Sequence, residues 1–247
     1  MSTPVESKFI IVGTQRTGSS FVATSIEQHP DIACGWEWTL DLPPHKRTDA
    51  VKRALNWDFS GLSTKCQGHM TSFPRSKKMI GFRWLFSSSP LWIGSPSLSP
   101  SRYIERITSY KRILEQDRSI KVIHITRNDD IGWLVSLFAA KKTGAFIGKQ
   151  HEDNLKVHIP LKNARKRIVA KRNLDAALED ISNKNPYMKI DYADIENYPN
   201  SAFDKIYNFL DVTAGFRPSF TTQKQQVKQY PEIVENFEKL NSLIASL

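Results

Sequence analysis

The sequence predicts an α/β fold in which helices cover both faces of a mainly parallel central sheet. Strand patterns and helix patterns alternate along the chain, and this order typically builds parallel sheets. The alternation begins with a strand, a tight glycine-containing loop and a helix at residues 8–30. No internal repeat and no clear linker divides the chain, so we predict a single domain over residues 1–247.

In the first half of the chain strands are predicted at residues 8–13 and 77–86, and residues 31–38 are predicted to be a second short strand or its exit loop. The segment "SSFVATSIEQHP" carries apolar residues at helical spacing and ends at Pro30, which predicts a helix after the first strand. Residues 39–78 are polar and mixed, and residues 87–101 are rich in serine and proline. Such stretches are typical of loops or insertions rather than of core elements.

The second half of the chain shows the alternation most clearly. Residues 120–127 ("IKVIHITR") and 186–192 ("PYMKIDY") are predicted strands. The helix in "DIGWLVSLFAAKKTG" has Asp129 or Asp130 as its N-cap and Gly144 at its end. Further helices are predicted at residues 102–116, 162–182, 200–210 and 231–247.

Composition argues against several classes of protein. Cys34 and Cys66 are too few for a disulfide framework and lack the spacing of a metal site, so no metal is expected. No window is apolar enough to span a membrane, and the N-terminal ten residues lack the apolar stretch of a signal peptide. We therefore expect a soluble, cytoplasmic protein without a membrane span.

The net charge of +10 favours an anionic partner, namely nucleic acid, acidic lipid or a multiply charged small molecule. The basic residues are spread along the chain, with one cluster at residues 162–172. Their helical spacing is typical of a solvated helix face rather than of a nucleic-acid recognition surface.

The loop "GTQRTGSS" almost matches the phosphate-binding signature G-x-x-x-x-G-K-[ST]. Gly13, Gly18 and Ser20 are in place, but Ser19 replaces the lysine that bridges the phosphates of a bound triphosphate. Backbone N–H groups of such a loop, followed by a helix N-terminus, form an anion site, and Arg16 adds a positive charge. The alternative is an ordinary strand–turn–helix connection, since short glycine motifs also occur by chance.

A second candidate site follows the strand at residues 120–127. Arg127 ends this strand, and Ser136 lies nine residues later on the next helix. Ligands of open α/β sheets bind at the carboxyl ends of strands, where a guanidinium can hold a phosphate through two hydrogen bonds. The alternative is an arginine that caps the helix and a serine that faces the core.

Together the two segments resemble the sulfotransferases that use 3′-phosphoadenosine 5′-phosphosulfate (PAPS). "GTQRTGSSFVATSIEQHPDI" is similar to their 5′-phosphosulfate loop, and "RNDDIGWLVSLFAAKKTGAF" to their 3′-phosphate element. The loop resembles R-T-G-S-[ST] of the bacterial carbohydrate branch, which includes nodulation-factor and trehalose sulfotransferases. "IGFRWLF" is similar to the family's G-F-K strand with Arg83 in place of lysine, and "MKIDYADIENYP" to its Y-[ED]-D-L segment.

The resemblance implies a P-loop-like three-layer fold with PAPS as sulfuryl donor, adenosine 3′,5′-bisphosphate (PAP) as product, and no metal. It implies that the 5′-phosphosulfate is held by Arg16, Thr17, Gly18, Ser19 and Ser20. It also implies that Arg127 and Ser136 hold the 3′-phosphate. A donor with one sulfated phosphate accounts for the missing lysine at position 19.

The resemblance further implies two catalytic residues, Arg16 for the charge of the leaving phosphate and Glu37 as the base. Glu37 lies in "GWEWTL", after the second strand, and a glutamate shortly after "QHP" resembles the base of the carbohydrate-type enzymes. Alternatively, Glu37 is a surface residue between packing tryptophans. The rival bases are His29, His45 and His69, whereas His124 is typical of a histidine in the core.

The expected acceptor is a hydroxyl of a carbohydrate, a lipid or another small molecule. Residues 39–78 and 87–101 are expected to form its pocket, with Trp57, Trp84 and Trp92 available for stacking. Two other functions remain open, namely a P-loop kinase or NTPase and a basic nucleic-acid-binding protein. The sequence leaves the oligomeric state open.

Overall fold

A five-stranded parallel sheet forms the centre of the computed structural model, which describes residues 7–35, 77–85, 111–112, 114–144, 154–220 and 229–247. The strands are β1 (Ser7–Gly13), β2 (Ile32–Gly35), β3 (Met79–Leu85), β4 (Lys121–Thr126) and β5 (Tyr187–Asp191). Their order in the sheet is β2-β3-β1-β4-β5, and every neighbouring pair is parallel. All five lie within or at the predicted strands.

Seven helices are described around this sheet: α1 (Ser19–Ile26), α2 (Asp130–Thr143), α3 (Leu161–Glu179), α4 (Tyr192–Asn197), α5 (Pro199–Phe209), α6 (Tyr230–Ile233) and α7 (Phe237–Ala245). A short 3-10 helix, Asp180–Asn183, follows α3, and residues 111–112 and 114–116 are also helical. The α2 caps agree with the sequence prediction, since Asp129 accepts from the Gly132 N–H and Gly144 is left-handed.

Alternating residues of β1 bury apolar side chains on both faces of the sheet. Ile10 and Val12 belong to a core cluster with residues of α2, α3 and α7. Phe9 and Ile11 belong to a second cluster with residues of α1 and α5. A strand whose successive side chains are all buried requires cover on both faces, and the two clusters provide it. This arrangement confirms the predicted three-layer α/β fold.

The strand order places a topological switch point at the carboxyl end of β1. The connection after β1 leads to β2, which lies on the β3 side of β1. The connection after β4 leads to β5, which lies on the opposite side of β1. Ligands of open α/β sheets bind at such a switch point. The glycine loop follows β1, and Arg127 follows β4, so both predicted phosphate elements lie at this point of the sheet.

The C-terminal region differs from the single helix predicted at residues 231–247. The helix is interrupted after Ile233 because Val234 is extended and forms a parallel bridge with Val157. Val157 N donates to Ile233 O at 2.8 Å, and Glu235 N donates to Val157 O at 3.0 Å. Ile233 and Val234 are buried, so tertiary pairing outweighs the local helical pattern. The short helix α4 was likewise not predicted.

The expected acceptor-side segments lie outside the described residues, apart from residues 77 and 78. The single domain over residues 1–247 therefore stays a prediction. Among the residues that the structure describes, no helix has the length and apolar character needed to cross a membrane.

We expect Gly81→Ala to destabilise the protein, because Gly81 pairs with Phe9 in the middle of the sheet. A Cβ at position 81 would lie 2.4 Å from both the ring Cδ1 and the carbonyl oxygen of Phe9. The expected loss in free energy of unfolding, measured by urea denaturation, is about 3 kcal/mol.

Gly144→Ala is the matched control, since no atom of the described residues lies within 4 Å of its added methyl group. Its φ of 69° limits the expected loss to about 1 kcal/mol of backbone strain. Equal losses in the two variants would contradict the close contact at Gly81.

Candidate functional site

The loop between β1 and α1 has the backbone conformation of an anion site. Arg16 and Gly18 both have positive φ, at 66° and 81°, and Thr17 Oγ1 donates to Thr14 O at 2.9 Å. Gly18 is the N-cap of α1 and, as a glycine, has no side chain to cap the first turn. Left-handed residues beside a helix N-terminus direct backbone N–H groups towards one point, where an anion binds. The buried hydroxyl of Thr14 also has no partner among the described residues.

Tyr192, the first residue of α4, packs directly against this loop. A Cβ at Gly18 would lie 2.5 Å from Tyr192 Cδ2, so both the left-handed φ and the close ring require glycine at position 18. In the sequence this tyrosine belongs to the segment that resembles the family's Y-[ED]-D-L motif, and no role is predicted for it. In the structure its ring adjoins both the glycine loop and Arg127.

Arg127 follows β4 and lies over the ring of Tyr192. Its guanidinium carbon is 4.7 Å from the centroid of Tyr192, and its Nη1 donates to the carbonyl of Arg16 at 3.3 Å. Asp191 fixes the flanking backbone, because its Oδ2 accepts from Asn128 N at 2.9 Å and from Thr126 Oγ1 at 3.2 Å. The Arg127 Nε is buried and has no hydrogen-bond partner among the described residues.

Helix α2 joins the two predicted phosphate elements. Arg16 Nε donates to Ser136 Oγ at 2.9 Å, although 120 residues separate them in the sequence. One turn earlier, Trp133 Nε1 donates to the carbonyl of Gln15 at 2.7 Å within the core. The structure therefore brings Arg16, Arg127 and Ser136 together, and Ser136 faces the loop rather than the core.

The electrostatics of the site favour a bound anion. Burial, and then the charge of Arg127, lower the pKa of Arg16 to about 10. At neutral pH Arg16 still carries its proton, so two positive charges lie close together in a partly buried place. An anion between them would relieve both their repulsion and their desolvation.

Arg83 is a further residue at this edge whose contact the sequence did not predict. It lies in β3 with 6% exposure, and its Nη1 donates to Ser20 Oγ in the first turn of α1. A charged residue inside the otherwise apolar segment "MIGFRWL" was the available signal. The structure thus places a third guanidinium beside the predicted 5′-phosphosulfate residues.

Of the predicted base and its three rivals, only His29 lies within the described residues. Glu37, His45 and His69 lie outside the described residues. Both nitrogens of His29 are engaged, Nε2 with Thr213 O at 3.0 Å and Nδ1 with Asp31 N at 3.1 Å. Moreover, His29 precedes β2 and therefore lies at the amino ends of the strands, away from the glycine loop.

His124 and Trp84, a histidine and a candidate stacking residue from the sequence, both lie in the core. His124 is fully buried and contacts Tyr187 Oη at 2.6 Å and Asp175 Oδ1 at 3.3 Å, as expected for a core histidine. Trp84 is 1% exposed and packs near Phe82, so it offers no stacking surface to an acceptor. Trp57 and Trp92 lie outside the described residues.

The basic cluster at residues 162–172 differs in part from the solvated face that its spacing predicts. Arg167 and Lys171 are buried. Lys171 Nζ lies 3.2 Å from Asp130 Oδ1, and Arg172 Nη2 lies 2.8 Å from Asp130 Oδ2. Asp130 is the first residue of α2, so these cations of α3 fix the start of the helix that carries Ser136.

Comparison with known proteins identifies the family. A family model described as "Sulfotransferase family" matches residues 8–216. The chain belongs to the sulfotransferase family. This confirms the sulfotransferase family, and the match covers β2 to β5 in full and β1 from its second residue. A search of curated proteins found no significant match.

Three solved structures of sulfotransferases are similar to this sulfotransferase to different degrees. The enzyme from Alicyclobacillus acidocaldarius is 15% identical, with a TM-score of 0.53 over 97% of this chain and 93% of that chain. Mouse SULT7A1, whose crystal structure is a complex with PAP, is 15% identical, with a TM-score of 0.48 over 85% of this chain and 61% of that chain. STF9 from Mycobacterium avium is 12% identical, with a TM-score of 0.44 over 99% and 76% of the two chains.

We expect Arg16→Gln to leave the melting temperature of the free protein unchanged or higher, because it removes one of two neighbouring positive charges. The amide can still donate to Ser136, while the site loses a charge that attracts anions. Inorganic pyrophosphate should therefore stabilise the variant less than the wild type in thermal unfolding.

Lys141→Gln is the matched control, since it removes the same charge from an exposed position near the end of α2. It should preserve the stabilisation by pyrophosphate. If both variants lost this stabilisation equally, general charge rather than the site would attract the anion.

Proposed function

We propose that this sulfotransferase moves a sulfuryl group from PAPS to a hydroxyl of a carbohydrate, a lipid or another small acceptor. The observation that supports this most is the meeting of Arg16, Arg127 and Ser136 at the N-terminus of α1. Three separated parts of the chain supply anion-binding groups there, and a nucleotide with phosphates at both ends of its ribose would use them together.

The residues present suit such a donor. In this proposal Arg16, Thr17, Gly18, Ser19 and Ser20 hold the 5′-phosphosulfate, mostly through backbone N–H groups since Thr17 and Ser19 are buried. Arg127 and Ser136 hold the 3′-phosphate. The Ser136 oxygen accepts from Arg16, so its own proton is available for a phosphate oxygen. The buried Nε of Arg127 can donate to the same group.

The donor supplies an activated sulfuryl group. The protein must position this group, stabilise the charge on the leaving phosphate and remove the proton of the acceptor hydroxyl. A new bond forms between the acceptor oxygen and sulfur as the bond from sulfur to the 5′-phosphate oxygen breaks, and its electron pair stays on the phosphate. We assign the stabilisation of this leaving oxygen to Arg16, with Arg83 beside Ser20 as a second source of positive charge. Glu37 accepts the acceptor's proton.

The branch and acceptor are proposed from sequence motifs. The R-T-G-S-S segment at Arg16–Ser20 is similar to that of the bacterial carbohydrate and nodulation-type enzymes, and Glu37 suits their type of base. Residues 39–78 and 87–101 would supply the acceptor pocket within a single domain. A small-molecule or glycan acceptor is therefore proposed, rather than nucleic acid.

We expect PAP to raise the melting temperature in the presence of EDTA, and to do so more than ATP with magnesium. PAP would engage both phosphate elements without metal, whereas the loop lacks the lysine that bridges a triphosphate. At about 100 times its dissociation constant the ligand should stabilise the fold by about 2.7 kcal/mol.

Thermal unfolding with PAP, ATP–magnesium and a short DNA oligonucleotide would separate the candidate functions. The absence of a shift at millimolar PAP would contradict the donor assignment. A shift with the oligonucleotide alone that falls steeply with salt would instead favour nucleic-acid binding.

We expect Glu37→Gln to reduce turnover by at least about 100-fold while PAP affinity stays unchanged, because an amide cannot accept the acceptor's proton. The assay is transfer of labelled sulfate from PAPS into a panel of glycans and alcohols, beside calorimetric titration with PAP. Glu238→Gln, at an exposed position of α7, is the control and should remain active. A fully active Glu37→Gln variant would remove Glu37 from this role.

A further inference from the structure

A tyrosine from the C-terminal segment reaches the Arg127 side of the site. Tyr230 is the first residue of α6, and its hydroxyl donates to Asp129 Oδ2. The other carboxylate oxygen of Asp129 caps α2 by accepting from Gly132 N at 2.8 Å. Arg127 Nη2 lies 3.8 Å from Asp129 Oδ2. The tyrosine hydroxyl and the guanidinium therefore adjoin the same carboxylate oxygen.

Gly132 makes this convergence possible. A Cβ at position 132 would lie 2.0 Å from Asp129 Oδ2, 2.1 Å from the Tyr230 hydroxyl and 2.6 Å from Arg127 Nη2. The three polar groups thus occupy the space that any larger residue in the first turn of α2 would need. Their arrangement is built into the fold at this helix end.

The position of Tyr230 is fixed from the core side. Ile233 and Val234 follow it and are buried, and Val234 pairs with Val157. Asn236 then accepts from Ile159 N at 3.1 Å and donates to Ile159 O at 2.9 Å. These contacts hold the tyrosine hydroxyl at Asp129 without any contribution from a ligand.

The charges explain what this hydroxyl does for Arg127. A carboxylate beside a guanidinium competes with any anion that the guanidinium would bind. Asp129 receives two hydrogen bonds, from Gly132 N–H and from Tyr230 O–H, so its negative charge is satisfied without a close ion pair. Its distance of 3.8 Å from Arg127 Nη2 is correspondingly long. Burial, and then the bond to Asp129, raise the pKa of Tyr230 to about 12, so the hydroxyl remains a donor at neutral pH.

We propose that Tyr230 is a positioning residue that keeps the Asp129 carboxylate from closing on Arg127, and that it thereby sets the preference for nucleotides with a 3′-phosphate. This inference rests on the proposed function, in which Arg127 binds the 3′-phosphate. Without the hydroxyl, Asp129 Oδ2 turns to Arg127 and neutralises the charge that the phosphate requires.

The test compares the affinities of PAP and adenosine 5′-monophosphate (AMP), which lacks the 3′-phosphate, by calorimetric titration. Tyr230→Phe should weaken PAP binding about tenfold, the size expected for a hydrogen bond to a charged group, and leave AMP binding unchanged. Tyr198→Phe, which removes a hydroxyl at a side chain with 68% exposure, is the matched control and should alter neither affinity.

A second variant tests whether Tyr230 acts through Asp129. Asp129→Asn keeps a good N-cap for α2 but removes the competing charge, so PAP should bind as tightly as to the wild type or more tightly. In this background Tyr230→Phe should have no further effect on PAP affinity. Equal weakening of PAP and AMP by Tyr230→Phe, or the same loss of PAP affinity with and without Asp129→Asn, would overturn the inference.

The outcomes separate this inference from the proposed function. A wild-type protein that binds PAP no better than AMP would overturn the donor assignment and this inference with it. A wild-type protein that prefers PAP, together with a Tyr230→Phe variant that keeps the full preference, would overturn the inference alone.

Discussion

The site depends on holding two guanidinium groups side by side at the carboxyl edge of a parallel sheet. Burial of Arg16, and then the neighbouring charge of Arg127, lower the pKa of Arg16. Such a pair persists only where other groups compensate each charge. The Tyr192 ring faces Arg127, the Arg16 carbonyl accepts from Arg127, and Ser136 accepts from Arg16. Several neighbouring elements fix the positions of the groups that make these contacts.

Part of the support comes from β5 and α3, which carry no predicted site residue. Asp191 at the end of β5 accepts from Asn128 N and fixes the backbone on either side of Arg127. Lys171 and Arg172 of α3 hold Asp130, and Trp133 holds the Gln15 carbonyl, so α2 is fixed both to α3 and to the glycine loop. Because buried contacts fix the relative positions of these elements, the guanidinium groups can be placed before any ligand binds. The α/β core thus positions the guanidinium groups in addition to stabilising the fold.

Features set by local chemistry could be predicted from the sequence, whereas contacts between distant elements could not. The strand–loop–helix unit after Ser7 and the α2 caps at Asp129 and Gly144 follow from nearby residue types. The contact between Arg16 and Ser136 depends on β1 and β4 being neighbours, and no local pattern contains that order. For the same reason Arg83 at Ser20 and the break at Val234 were not predicted. The role of Glu37 stays a prediction.

The backbone of the loop supports a ligand-binding role independently of the charges. Arg16 adopts a left-handed conformation that costs a non-glycine residue about 1–2 kcal/mol, and its side chain is also desolvated. The methyl group of an alanine at position 18 would clash with the Tyr192 ring, so this conformation of the loop requires glycine. Strain and the burial of like charges destabilise the free protein, and Gly18 offers no side chain to cap α1. An anion bound in the loop would neutralise the buried charges and accept from the N–H groups of the first turn of α1, and so offset these costs. This is the physical reason to regard this edge as a binding site rather than as an ordinary turn.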